Sequence, residues 1–278
     1  MAMKSPIKWV GSKARLMPQL IPHLPEGKRL VEPFAGSCSV MLNTDYDEYL
    51  IADINPDLVN LYRAMAYHPS ELIRELEYLF AAGSVGDDSD RAATFYVVRE
   101  RFNQSASISH IEKAAAFLYL NRHGYGGVCR YNRRGHFNTP YARYKKPYLP
   151  EVEIHAFAEK AKRATFICAS YDETLKMVTA GDVVYCDPPY IPVTSTANFT
   201  QYHTDGFCSL DQEYLGVMLY ALSLKGIPVI ASNSDTPQAR SLYYLFTQHK
   251  LKAPRSIGAK NGADSSAAEM LAVRCGDA

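Results

Sequence analysis

Asp187, Pro188, Pro189 and Tyr190 place an acid, two prolines and an aromatic ring in four consecutive positions, directly after the apolar run Val183-Val184-Tyr185-Cys186. A Val-rich run of this kind reads as a buried strand, and paired prolines end it at once because each lacks an N–H and fixes φ. The acid therefore stands at the carboxyl end of a strand, which in an open α/β sheet faces the ligand crevice. A residue before proline is held extended, so Asp187 and Pro188 present their oxygens side by side. An acceptor carboxylate, a backbone carbonyl and the flat face of Tyr190 suit a planar ring carrying an exocyclic amino group. Taken alone, the same four residues equally describe a strand-ending turn with a surface tyrosine.

Three further stretches carry chemistry-bearing residues. Arg29-Leu30-Val31 reads as a short strand that runs into Glu32-Pro33-Phe34-Ala35-Gly36-Ser37-Cys38-Ser39, where small residues let a ligand approach the backbone. Tyr49 to Asp53 is a second strand ending in an acid, 17 residues after Gly36. Ribose-binding carboxylates of nucleotide folds lie about 20 residues past their glycine loop, but Asp53 is also placed to cap a helix starting near Asn55-Pro56. Lys8-Trp9-Val10-Gly11-Ser12-Lys13 sets two lysines around the only tryptophan, an arrangement that also serves simply to anchor a terminus to the core. The glycine loop lacks the G-x-G-x-x-G spacing, which argues against a dinucleotide.

The elements that must position these residues follow from periodicity. Ser70 to Phe80 has helical spacing and stops before Gly83, and Gly83 to Asp90 reads as an acidic surface loop. Ser109 with Glu112 forms a capping box ahead of a helix over Ala114 to Leu120. Thr165 to Ala169 is a strand ending at Ser170-Tyr171-Asp172. Ser209 with Gln212 opens an amphipathic helix closed by Gly226, and Ile227 to Ser232 is a further buried strand. Lys250 to Ile257 and Met270 to Cys275 make a hairpin around Gly258 to Ser266. A polar loop from Ile191 to Gly206, with Asn198, Phe199, Tyr202 and His203, lies beside the D-P-P-Y site and has the length of a lid. The stretch 57–150 lacks strand-ending motifs and reads as a helical insertion in an α/β core made of 1–56 and 151–278.

Within that insertion, Tyr119 to Tyr148 holds Arg122, Arg130, Arg133, Arg134, Arg143, Lys145 and Lys146 and no acid, interleaved with six tyrosines and Phe137. Basic side chains neutralise phosphates, Arg reads guanine bidentately, and aromatic rings stack on or wedge between bases. A solvated charged face would explain the cations but not the rings, so the segment points to nucleic acid. The whole chain, at 278 residues and a formal charge of +1, hides this patch. Its apolar content of 47% and charged content of 21% argue against global disorder. The six cysteines show no zinc-ligand spacing, so no metal is expected, and they read as reduced thiols of a cytoplasmic protein. Met1 to Lys8 has no apolar core and no stretch has bilayer-spanning length, so neither export nor membrane insertion is expected.

Taken together, these motifs resemble the Dam-type N6-adenine DNA methyltransferases of the α group. The resemblance rests on Lys8-Trp9 to Lys13, Val31-Glu32-Pro33-Phe34, Ala52-Asp53-Ile54-Asn55, Leu118 to Arg122, Cys129-Arg130-Tyr131-Asn132, Tyr144 to Tyr148, Val184 to Tyr190 and Ala197-Asn198-Phe199-Thr200, in that order. It implies a class I methyltransferase fold: a Rossmann-like, seven-stranded, mostly parallel sheet with helices on both faces and an inserted, mainly helical target-recognition domain. It implies S-adenosylmethionine as donor, S-adenosylhomocysteine as product, and N6 of an adenine flipped out of double-stranded DNA, usually within GATC, as acceptor. By resemblance, Asp187, Pro188 and Tyr190 are catalytic, and Trp9, Lys13, Phe34, Asp53, Ser170, Tyr171 and Asp187 line the cofactor pocket. Lys8, Tyr125, Val128, Arg130, Pro140, Arg143 and Tyr144 match positions that touch DNA, Arg130 reading a base and Tyr125 entering where the adenine leaves the stack. A bacterial nucleoid or phage setting is implied, with no membrane and no obligate protein partner.

Two positions depart from the family pattern. Gly126 stands where Asn is usual and offers no side-chain hydrogen bond to the orphaned thymine, and Val128 stands where Leu is usual. The 258–266 segment is also altered. Methylation of cytosine N4, RNA adenine or a protein glutamine amide would share the cofactor half, but the basic, tyrosine-rich insertion and an acid at 187 favour DNA adenine. A silent DNA-binding regulator would not need the acid and ring at 187 and 190.

Overall fold

The computed structural model describes residues 3–104, 108–192, 207–254 and 266–275. Ala197 to Thr200 and the remainder of the expected lid, 193–206, lie outside the described residues, as does the hairpin tip 258–265.

Seven strands form one sheet in the order β3-β2-β1-β4-β5-β7-β6. They are β1 (Arg29–Glu32), β2 (Glu48–Asp53), β3 (Ala164–Cys168), β4 (Asp182–Cys186), β5 (Val229–Ser234), β6 (Thr247–Pro254) and β7 (Ser266–Arg274). β1 to β5 pair in parallel, and only β7 runs against its neighbours β5 and β6. This is the seven-stranded, mostly parallel sheet that the sequence led us to expect. Arg29 and Asp182 stand opposite each other at the start of β1 and β4. Their bidentate pair, 2.9 and 2.6 Å, ties the amino ends of the two central strands together.

Both faces of the sheet are covered, as parallel strands require. Along β4, Val183 and Tyr185 point into one apolar cluster and Val184 and Cys186 into the other. The first cluster continues from Leu30 and Ile51 through α1 (Met17–Leu20), α2 (Ser39–Asn43), α3 (Pro56–Tyr67), α4 (Pro69–Ala82), α5 (Asp88–Asn103), α6 (His110–His123) and α7 (Glu151–Ala161). The second is covered by α8 (Tyr171–Leu175), α9 (Ser209–Ser223) and α10 (Pro237–Leu242). α6 is apolar on nearly every side, with Ala114 through Asn121 all buried, and packs against α3, α4 and α5. A helix of that kind needs neighbours all round.

Two local expectations shift. The acidic run before Asp90 is not all loop: Asp87 and Asp90 form a capping box that starts α5, because carboxylates favour the positive end of a helix. α9 is capped by Cys208 and Asp211 instead of Ser209 and Gln212, since the Asp211 carboxylate reaches back to the Cys208 N–H at 2.8 Å. Gln212 is thereby free to bond elsewhere. Among the described residues, no helix is long and apolar enough to cross a membrane.

Candidate active site and nucleic-acid interface

The strand order reverses between β1 and β4, since β2 and β5 lie on their outer sides. Such a switch point opens a crevice at the carboxyl ends of the two strands, and here those ends carry Glu32 to Phe34 and Asp187 to Tyr190. The D-P-P-Y turn is held from behind: Gln212 donates to the Pro189 carbonyl at 2.6 Å, Asn233 accepts from the Ile191 N–H at 3.0 Å, and Ser234 donates to the Ile191 carbonyl at 2.6 Å. Asn233 also donates to Gln212 at 3.2 Å, closing the network. Pro188 is buried.

Asp187 is partly buried, its side chain 19% exposed, and its Oδ2 lies 2.7 Å from the buried Lys13 ammonium. Its Oδ1 is buried and has no hydrogen-bond partner among the described residues. Burial pushes the Asp187 carboxyl above its ordinary range, and Lys13 opposes the shift without cancelling it. The Tyr190 hydroxyl donates to Glu269 at 2.7 Å, and the Lys13 ammonium lies 4.8 Å from the Tyr190 ring centre. A buried acceptor without a donor is costly unless something completes it.

Of the expected cofactor residues, Lys13 reaches Asp187, while Phe34, Asp53, Ser170 and Tyr171 follow or end β1, β2 and β3. Asp53, at the end of β2, accepts from the Gly36 N–H at 3.1 Å and from the Asn55 N–H at 3.0 Å. The helix cap is Asn55, which accepts from Asp57 and Leu58 while Pro56 takes the first turn; Asp53 instead joins the end of β2 to the glycine loop. Trp9 lies over that loop so closely that a Cβ at Gly36 would sit 2.7 Å from the indole nitrogen. Phe34 stacks on Tyr171 at 5.5 Å, and Phe207 closes edge-on against both. Ser170 caps α8, with its hydroxyl on Asp172 and Glu173. An acid, a glycine loop and aromatic faces at neighbouring strand ends are chemistry that suits a cationic, nucleoside-bearing ligand. Glu32 ends β1 beneath them, buried and accepting from the Met41 N–H at 2.8 Å. Among the described residues no group of three or more His, Cys, Asp or Glu side chains is set to hold a metal ion.

Apart from Lys8, the expected DNA-facing residues lie on an irregular hairpin over residues 124–144, joined by bridges between Gly124 and Tyr141 and between Tyr131 and Phe137. Thr139 holds its two arms, accepting from the Arg130 N–H at 3.2 Å and donating to the Val128 carbonyl at 2.8 Å. The Pro140 carbonyl accepts from the Tyr125 N–H at 2.9 Å. Tyr125, 67% exposed, stands at the base of the hairpin, far from its turn at Asn132 to His136, and beside Gly126, whose φ is +64°. Arg130 is exposed and rests on Asn138. Arg143 is 85% exposed and lies 3.2 Å from Asp88 at the start of α5. Tyr144 accepts from the Gly126 N–H at 3.2 Å, with the Lys8 ammonium 4.4 Å above its ring.

The aromatic residues of this segment divide in two. Tyr119 and Phe137 are core side chains, and the Tyr131 hydroxyl donates to Asp57 at 2.8 Å. Tyr125, Tyr144 and Tyr148 are the exposed set. Among the cations, Arg122 is spent inside the molecule, donating to the Tyr148 carbonyl at 2.9 Å. The N-terminal strap from Lys8 to Lys13 joins the two regions, with Lys8 at the hairpin and Lys13 at Asp187. Sequence reasoning missed Glu269, Gln212 and Asn121. Gln212 gave only a misread capping signal, Asn121 stood in the Leu118 to Arg122 run without a role of its own, and Glu269 gave no signal, because the partners of these last two are distant in the chain.

An open sheet of this strand order with a single reversed strand, carrying D-P-P-Y at the carboxyl end of β4, defines a class I methyltransferase. Residues 9–257 match the model of the D12 class N6 adenine-specific DNA methyltransferases, and the chain belongs to that family. It is 54% identical over 98% of its length to the Retron Ec67 DNA adenine methylase of Escherichia coli, covering 91% of that protein. It is 46% identical to the DNA adenine methylase of Serratia marcescens (96% of this chain, 97% of the relative) and 44% identical to that of Escherichia coli strain K12 (96% and 94%). The chain is an adenine-specific DNA methyltransferase.

Proposed function

We propose that the chain methylates N6 of an adenine flipped out of double-stranded DNA, within GATC, using S-adenosylmethionine. The observation that carries this reading is the buried Oδ1 of Asp187, next to Pro188 and without a donor among the described residues. An exocyclic amino group supplies the two N–H donors that a carboxylate and an adjoining carbonyl can accept. Asp53, the glycine loop, Phe34 and Tyr171 would hold S-adenosylmethionine, which when bound would supply an electrophilic methyl group. Trp9, Lys13, Ser170 and Asp187 complete that pocket.

The residues of the chain do the rest. The N6 lone pair is delocalised into the adenine ring, so the nitrogen is a poor nucleophile. Hydrogen bonds from N6 to Asp187 and the Pro188 carbonyl favour a pyramidal nitrogen and stabilise the positive charge that grows on it. Burial makes Asp187 a better acceptor for the proton that N6 must then lose. Tyr190 stacks on the base and fixes its angle of approach. Flipping costs roughly a few kcal/mol, which the hairpin offsets as Tyr125 fills the vacated space.

On this reading residues 57–150 are the target-recognition part, with Lys8 added to it, and 1–56 with 151–278 the catalytic part. Arg130 reads a base; Val128, Pro140 and Tyr144 shape the contact surface; Arg143 and Lys8 hold phosphates. The setting is bacterial or phage DNA in a cytoplasm, with no obligate protein partner. The test is to incubate the purified chain with S-adenosylmethionine and unmethylated duplex and to sequence modified bases. N6-methyladenine confined to GATC supports the proposal, and methylation spread over other sequences, or on cytosine, contradicts it.

A further inference from the structure

Glu269 lies on β7, opposite Ser234 of β5 and far in sequence from every motif of the site. Its side chain is 14% exposed and its Oε2 accepts from the Tyr190 hydroxyl at 2.7 Å. The same oxygen lies 4.0 Å from the Lys13 ammonium, which itself contacts Asp187 at 2.7 Å. Two carboxylates thus converge on one cation, and the ring of Tyr190 is tied to both through Lys13 above it and Glu269 at its hydroxyl.

Tyrosine swings about its Cα–Cβ bond, so a ring free at its far end can move away from the place where a base would stack on it. A charge-assisted hydrogen bond from its hydroxyl to a partly buried carboxylate restrains that swing. Glu269 is a good anchor because β7 is paired on both sides, by β5 and β6. D-P-P-Y, by contrast, is a turn, and turns alone hold rings loosely.

We propose that Glu269 is a positioning residue for methyl transfer: it acts through the Tyr190 hydroxyl to hold the ring at the angle that seats the acceptor base. The proposal rests on the functional reading above, and it assigns Glu269 no contact with base or cofactor.

A double-mutant cycle in single-turnover transfer from tritiated S-adenosylmethionine to a GATC duplex tests it. Glu269→Ala should slow transfer about tenfold, by misplacement of the stacking ring, with the Kd values for cofactor and duplex unchanged. Glu269→Gln, whose amide oxygen can still accept from the hydroxyl, should recover most of that rate. In a Tyr190→Phe background, Glu269→Ala should add less than about a twofold loss, since the two changes break the same bond. Equal losses in both backgrounds, a Gln variant as slow as Ala, or a loss confined to cofactor affinity would each overturn the proposal. If Glu269→Ala does not fold, Tyr190→Phe, which deletes one hydroxyl, carries the test, and a wild-type rate overturns it. A wild-type chain that makes no N6-methyladenine would instead sink the functional reading, so the two failures are separable.

Discussion

Asn121 and Lys8 exchange two backbone hydrogen bonds across 113 residues: the Lys8 N–H donates to Asn121 Oδ1 at 2.9 Å, and Asn121 Nδ2 donates to the Lys8 carbonyl at 2.7 Å. The same amide donates to the Gly127 carbonyl at 2.7 Å, and Asn121 is fully buried at the end of α6. One side chain therefore fixes the N-terminal strap against the base of the hairpin. Gly127 makes the fit possible, since a Cβ there would stand 2.5 Å from that of Lys8. The strap that starts at this clamp ends at Lys13 on Asp187, which gives the hairpin proposed to face DNA a direct structural connection to the proposed site of methyl transfer.

Asn121→Ala should destabilise the protein by about 1–3 kcal/mol, because the Lys8 and Gly127 backbone groups lose their buried partner. Asn121→Asp should do no better, as a carboxylate cannot donate to the two carbonyls. Urea unfolding midpoints measure both, and a change of less than about 0.5 kcal/mol in each would show the clamp to be dispensable.

Arg130 and Arg143 should separate specificity from affinity. Arg130→Ala should cost about 1–3 kcal/mol on the cognate site and relax discrimination at one base pair. Arg143→Ala should weaken cognate and non-cognate duplexes alike and lower the salt dependence of binding. Titrations on matched and single-substitution duplexes at two salt concentrations distinguish them, and indistinguishable effects would contradict the division.

Glu32 makes stability depend on pH. Burial pushes its carboxyl from 4.5 up to about 8, against the lowering effect of the Met41 N–H bond. The folded state then holds a proton that the unfolded state has lost, so stability falls as pH rises from about 4.5 to 8 and levels off above. The slope is at most about 1.4 kcal/mol per pH unit from this one group. Glu32→Gln mimics the protonated acid and should flatten that part of the curve. Urea midpoints at several pH values check this, and an unchanged slope in the variant would assign the effect elsewhere.

Gly126 sits at φ +64°, a region that Asn tolerates and β-branched residues do not. Gly126→Asn should therefore fold normally, whereas Gly126→Val should lose about 1–3 kcal/mol. Melting curves of the pair test the backbone claim, and equal stability of both variants would refute it.

Features encoded in contiguous residues were legible in the sequence. The Val183 to Cys186 run with its two prolines announced β4 and its acid, and Ser109 with Glu112 announced α6. The seven-stranded, mostly parallel sheet followed from the family resemblance more than from periodicity, and its strand order was not read from the sequence. Features made by distant partners were not legible. Glu269 meets Tyr190 only because β7 folds back beside β5, and Asn121 looks like one more polar residue in an apolar helix until Lys8 is laid against it. Gln212 was misread for a local reason, since Asp211 competed for the same cap. α5 gave too sparse an apolar pattern to be seen, and Tyr119 and Phe137, counted with the DNA-facing rings, are core side chains.

The central claim is that Asp187 holds the acceptor amino group. Single-turnover transfer of a labelled methyl group to duplex DNA by Asp187→Ala, alongside cofactor-binding calorimetry, tests it most directly. The expected result is S-adenosylmethionine binding weakened by no more than about tenfold, with transfer lowered by at least about 10²-fold. Near-normal transfer by a variant that still binds cofactor would contradict it.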